Sequence, residues 1–255
     1  MQPATLGAAE VVVQPGVRFS IGGVFSRSFA AWKRNWPFLL VVAVLALLPG
    51  FLVSVTLPPR TGFFKDATRV DRALDSILAY VAAGLVTVSV LDQLRGRPRN
   101  NRRSLAVGGS RIWALIWTGF GTGFVTGVLL LLCVVPGLIA IVRWVLVAPI
   151  VILEPGVDAW ARSSALTKGH RWELFGILAI LQGGMTVLFA VIGAVVGLRA
   201  ARLPPGESRL LFDAITALPS VLFLSFRSVV HAVLYEQLRA EKEGVDVTQL
   251  AAVFE

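Results

Sequence analysis

The chain alternates between long apolar runs and short blocks of charge, and the apolar runs set the length scale. A membrane-spanning helix needs about 20 mainly apolar residues at about 1.5 Å of rise each. On that measure the pattern predicts six spans, at 37–57, 73–91, 112–134, 138–153, 174–198 and 211–235. The third and fourth cannot be a single helix, because together they would run roughly 63 Å. Pro136-Gly137 supplies a turn between them. The fourth is short and holds Pro149, which predicts a kinked or partly re-entrant element.

Two polar blocks carry a second, weaker pattern. In RFSIGGVFSRSFAAWKRNW the residues Ile21, Val24, Phe25, Phe29, Trp32 and Trp36 share a helical face, and Arg27, Lys33 and Arg34 lie off it. This predicts a helix over 18–36 lying in the headgroup plane, aromatic side down. The segment after Glu154-Pro155-Gly156 repeats the pattern. Ser26-Arg27-Ser28-Phe29-Ala30 resembles Ala161-Arg162-Ser163-Ser164-Ala165, and Lys33 and Trp36 correspond to Lys168 and Trp172 with one residue inserted. Each segment leads into a span of the same direction, so the repeat is parallel, whereas inverted repeats are the commoner transporter signal. Trp32, Trp36, Trp160 and Trp172 are the expected interfacial anchors. The expected organisation is a flexible tail over 1–17, one integral membrane domain over 18–244 and a tail over 245–255.

Charge orients the bundle. Fifteen Lys and Arg fall in the N-terminal segment, 95–111, 154–172 and the C-terminal tail, against seven in the other loops. The excess of positive charge marks the cytoplasmic side, so both termini are expected there. The first apolar run starts too late and runs too long for a cleavable signal, and reads as an anchor or an ordinary first span.

Composition narrows the function classes. Residues ACFILMVWY make up 56% of the chain and charged residues 15%, both displaced towards lipid from a soluble domain. The net charge of +9 could suggest nucleic acid. The cations cluster beside apolar runs and no nucleic-acid motif accompanies them, so anionic lipid is the expected partner and nucleic acid is not. A single cysteine, Cys133, rules out an internal disulfide or a CxxC metal site. With two histidines and no HExxH, P-loop or GxSxG elbow, the chain is expected to hold no metal, no cofactor and no catalytic set.

The polar residues inside the spans are the candidate functional groups. A charge there costs roughly 2.5–3.5 kcal/mol on insertion scales, so it calls for a partner or a purpose. Arg143 sits within the fourth span. On the sixth, Asp213, Thr216, Ser220, Arg227 and His231 recur at helical steps along one face. Asp92, Glu154 and Glu236 are the carboxylates expected to meet Arg227 and His231, whereas Arg143, nearer the opposite face, is expected to pair with the third-span threonines, Gln182 or a carbonyl. Two readings stay open: ion pairs that glue the helices, or an anion or lipid-phosphate site lined by Arg143, Arg227 and His231. The third span carries Gly119, Gly123 and Gly127 at four-residue steps beside Thr118, Thr122 and Thr126, and the fifth carries Gly193 and Gly197. Small residues at this spacing let helices approach closely, within one chain or between copies.

Three stretches together resemble a known family. These are the N-terminal amphipathic segment running into Trp36-Pro37, and the pattern Pro136-Gly137, Arg143, Pro149, Glu154 with Arg162–Trp172. The third is Tyr235, Leu238-Arg239 and Glu243-Gly244 with the tail Leu250-Ala251-Ala252-Val253-Phe254. The chain resembles the membrane domain found with glycerophosphoryl diester phosphodiesterases, a family of bacterial multi-helix integral membrane domains. The resemblance implies a bacterial membrane domain without the catalytic barrel, since the phosphodiesterase chemistry resides in a separate soluble barrel of about 250 residues. Glu236-Gln237 stands where that family would be expected to carry a second tyrosine and an aspartate.

The expectation is therefore an all-α, multi-pass membrane bundle in the bacterial inner membrane. Its function is read first as a non-enzymatic scaffold or phospholipid-handling module, with a membrane-protein partner or homo-oligomer as a further expectation. The rival readings are a small-anion transporter using Arg143, Arg227 and His231, and a lipid enzyme requiring Asp92, Glu154, His170 and His231 to converge.

Overall fold

The structure is a computed structural model that describes residues 19–56, 67–94, 101–200 and 205–253, with side chains over 19–52, 76–94, 101–198 and 211–243. The expected N-terminal tail lies outside the described residues. All elements described are helices: α1 (Ile21–Thr56), α2 (Ala67–Leu94), α3 (Asn101–Ser110), α4 (Ile112–Leu132), α5 (Val134–Arg143), α6 (Val147–Leu153), α7 (Ala159–Leu166), α8 (Arg171–Ala200) and α9 (Pro205–Val253). Six of the helical runs are long and apolar enough to cross a membrane, with α5 and α6 sharing one crossing.

The expected boundary between amphipathic segment and first span survives as a kink rather than a break. Asn35 leaves helical geometry (φ −132°, ψ 22°) inside α1, two residues before Pro37. Proline has no N–H to donate and its ring crowds the carbonyl four residues back, so the helix bends there. The turn between the third and fourth spans falls at Cys133 (φ −163°, ψ 134°), three residues before the proline expected to make it. Pro136 instead sits in the first turn of α5, where its missing N–H costs nothing. Pro149 acts as expected. It cannot donate to the carbonyl of Val145, and the crossing opens between α5 and α6 over Trp144–Leu146.

Ser163 of α7 repairs that opening. Its hydroxyl donates to the Arg143 carbonyl at 2.7 Å and accepts from the Leu146 N–H at 3.3 Å. The parallel repeat is visible in burial: Val24, Ser28 and Ala31 are buried in the first segment, and Ala159, Ser163 and Leu166 occupy the equivalent positions in the second. Gly156 and Gly169 hold positive φ (84° and 100°) in the turns on either side of α7, a conformation that side chains resist.

Packing is uneven along the bundle axis. Phe19, before α1, lies against His170, before α8, and His170 meets Glu241 of α9, so the start of α1 and the C-terminal part of α9 share one end of the bundle. Near that end α9 is buried through Leu224, Val229, Val230, Ala232, Val233, Leu234, Tyr235 and Leu238. Further away it exposes Leu211, Ile215 and Leu218. The exposed apolar residues of α1, α4, α5 and α8 form the rest of a lipid-facing band, in which Trp117, Phe120 and Phe124 of α4 pack in sequence. Apolar side chains outside the core in such a band are what lipid requires and water would penalise. The long α9 continues to Val253, into the stretch expected as a tail.

Candidate functional site

The densest polar cluster lies where α6 ends against α9. Glu154 follows the last turn of α6, and its carboxylate accepts the Tyr235 hydroxyl at 2.6 Å and the Arg162 Nε at 2.8 Å. Arg162 of α7 also reaches Glu243, whose other oxygen accepts the Arg239 Nε at 2.5 Å. Arg239 closes the circuit by donating to the Tyr235 oxygen at 3.1 Å. Burial opposes the charge on Arg162, but the hydrogen bonds and charges of Glu154 and Glu243 outweigh it and raise its pKa above the ordinary guanidinium value. Two carboxylates, two guanidiniums and one phenol satisfy one another here, so the cluster behaves as a clasp between α6, α7 and α9.

Sequence reasoning picked out Glu154 but paired it with Arg227 or His231. It missed Arg162, Tyr235, Arg239 and Glu243 as a set. A signal was present, because the polar stripe of α9 continues in four-residue steps through Arg227, His231, Tyr235, Arg239 and Glu243. The remaining candidates are dispersed. Asp92 faces Arg103 at 3.9 Å. Arg143 is exposed on α5, and its backbone rather than its guanidinium makes the contact with Ser163. Arg227 and His231 are neighbours one turn apart on α9. Glu236, half-buried on α9, also has a partner. His170 lies between Glu241 at 3.4 Å and Glu173 at 3.8 Å. No two of Asp92, Glu154, His170 and His231 are within hydrogen-bond or ion-pair reach of each other, so the four do not form an acid–base pair.

The small-residue faces divide. A Cβ on Gly119 would meet the Tyr80 ring at 2.9 Å, so α4 approaches α2 closely there, whereas Gly123, Gly127 and Gly197 face open space and Gly193 only touches Phe212. Gly84, against Leu115, and Gly108, against Leu85, are close-approach positions the spacing argument passed over. Thr216 and Ser220 bond back to the α9 backbone at 2.8 and 2.7 Å rather than lining a path. Of the four tryptophans, Trp32 and Trp160 tie helices together through Ser225 and Thr122, both at 2.9 Å. Trp36 and Trp172 are exposed, as anchors would be.

A cleft of about 320 Å³ opens between the start of α4 and the 154–160 turn. Its polar groups are already engaged: Asp158 caps α7, Arg111 donates to the Val151 carbonyl, and Trp160 binds Thr122. Among the described residues, no group of three or more His, Cys, Asp or Glu is arranged to hold a metal ion.

These features define the class: an all-α, multi-pass membrane bundle with a polar clasp at the end that carries both termini. Comparison with family models, curated proteins and solved structures gave no match to the chain.

Proposed function

We propose that the protein is a non-enzymatic membrane module whose termini-bearing end holds anionic phospholipid. The supporting observation is an imbalance of engaged charge. Every carboxylate whose side chain is described has a partner: Asp92, Glu154, Asp158, Glu173, Asp213, Glu236, Glu241 and Glu243. By contrast Arg27, Lys33, Arg34, Arg102, Lys168 and Arg171 are exposed and form no hydrogen bond or ion pair among the described residues. Lys168 and Arg171 also stand near enough to Lys242 to repel it. Uncompensated cations beside the exposed indoles of Trp36 and Trp172 suit a layer of negative headgroups, at roughly 1 kcal/mol per cation near such a surface.

On this reading the basic end faces the cytoplasm of a bacterial cell and the bundle resides in its inner membrane. Native mass spectrometry of protein extracted from membranes of equal phosphatidylglycerol and phosphatidylcholine content tests it. The expected result is enrichment of phosphatidylglycerol, reduced in a Lys168→Gln/Arg171→Gln variant. Equal retention of both lipids by the unmodified protein would overturn the reading.

A further inference from the structure

Arg227 belongs neither to the surface cations nor to the clasp. Arg227, on α9 two turns before Tyr235, forms no hydrogen bond or ion pair among the described residues. His231 lies one turn further on. It is 8% exposed, and its Nε2 is buried without a partner. Buried polar atoms are paired in about nine cases of ten, so the His231 Nε2 calls for a partner, and half-buried Arg227 stands beside it without one. No described carboxylate compensates Arg227. Glu154 is bound by Arg162 and Tyr235, and Asp92 faces Arg103.

The surroundings of the pair indicate what fills the gap. Phe25 stacks on Phe226 with ring centroids 6.5 Å apart, and Trp32 donates to Ser225 at 2.9 Å. The amphipathic segment of α1 therefore crosses α9 immediately before Arg227. That segment carries exposed Arg27, Lys33 and Arg34 above an aromatic face, the arrangement of a helix in the headgroup plane. Arg227 and His231 therefore lie beside a segment whose exposed cations and aromatic face suit lipid headgroups.

We infer that Arg227 and His231 form a binding site for one phosphate oxyanion, of the kind carried by a phospholipid headgroup. A guanidinium presents two parallel N–H groups to two phosphate oxygens, and the His231 Nε2 supplies a third contact. One guanidinium balances a single negative charge, which is that of a phosphodiester. The site rests on the reading of phospholipid contact at this end, yet it differs from the surface cations in holding one molecule in a fixed place.

The test is thermal unfolding of the full chain in detergent, with three probes: inorganic phosphate, short-chain phosphatidylglycerol and short-chain phosphatidylcholine. A probe that fills the site should raise Tm by roughly 5–10 °C at a hundredfold excess over Kd. Stabilisation by either lipid but not by inorganic phosphate identifies a headgroup, and stabilisation by inorganic phosphate identifies a free oxyanion. In each case the shift should vanish in Arg227→Gln and fall in His231→Leu. Should Arg227→Gln fail to fold, Arg227→Lys, which keeps the charge without the paired N–H groups, should weaken binding at least tenfold. Absence of any shift, or a shift unchanged in these variants, overturns the inference. Lys168→Gln/Arg171→Gln should leave this shift intact, so equal retention of both lipids by the unmodified protein would count against the proposed function and not against this site.

Discussion

Glu154→Gln is the most informative single change, because it reverses one side of the clasp without altering its shape. The carboxylate oxygens accept Tyr235 at 2.6 Å and Arg162 at 2.8 Å, with a longer contact to Arg162 at 3.4 Å. In the amide, one oxygen can still accept from Tyr235, but an NH₂ group then confronts the Arg162 N–H donors. Breaking one side of a fully buried ion pair costs about 3–5 kcal/mol, and a hydrogen bond to a charged group contributes about 1.5–3 kcal/mol. The side chains of Glu154 and Arg162 are 14% and 28% exposed, and Arg162 keeps Glu243, so the loss belongs at the lower end. About 2 kcal/mol is expected, or roughly 4–8 °C in Tm for a chain of this size. The assay is thermal unfolding in detergent, followed by tryptophan fluorescence. A double-mutant cycle with Arg162→Gln should give a coupling of about 1–2 kcal/mol. A Tm within about 1 °C of the unmodified protein, or no coupling, would show that solvent screens the cluster as it does ordinary surface pairs.

The other predictions use the same assay or simple labelling. Gly119→Ala should destabilise by about 1–3 kcal/mol because its Cβ meets the Tyr80 ring, whereas Gly123→Ala in open space should be neutral or stabilising by up to about 1 kcal/mol. Equal effects would refute the division of the small-residue face. Ser163→Ala removes the hydroxyl joining the Arg143 carbonyl to the Leu146 N–H and should cost about 1–2 kcal/mol, against less than about 0.5 kcal/mol for exposed Ala161→Ser. Cys133, the single cysteine, is exposed at the α4–α5 turn. An impermeant maleimide should label it only from the side opposite the termini, and labelling from the termini-bearing side would contradict the arrangement of crossings.

Features set by local chemistry were legible in the sequence. Six apolar runs became six crossings because length and hydropathy are properties of each run alone. Pro37 and Pro149 bend or open the chain next to where they stand, so their effects could be placed within a few residues. Pro136 was misread because proline is tolerated in a helix's first turn as readily as in a turn before it. The clasp depended on a pairing across 81 residues between Glu154 and Tyr235, and periodicity along one helix cannot choose a partner on another. Arg143 shows the same limit. Its place inside an apolar run was plain, but a run read as one helix could not show that Arg143 ends α5, one residue before the break at Trp144–Leu146. Gly123 and Gly127 share the spacing of Gly119, and only the position of α2 separates the one that packs from the two that do not.

The unequal burial along α4 has a mechanical consequence. Of its 21 residues only Leu115 and Thr126 are buried, and the exposed remainder includes Trp113, Trp117, Phe124 and Leu131. Such a helix is held near its first turns, by Leu115 against Gly84 and Gly119 against Tyr80, and hinged at Cys133 where it meets α5. Between those points one face is tied by Trp160 to Thr122 and by buried Thr126, while Trp117, Phe124 and Val125 face outward, where acyl chains would be their neighbours. Among the described crossings α4 is the least buried, so a change in bilayer thickness is expected to tilt it before its neighbours.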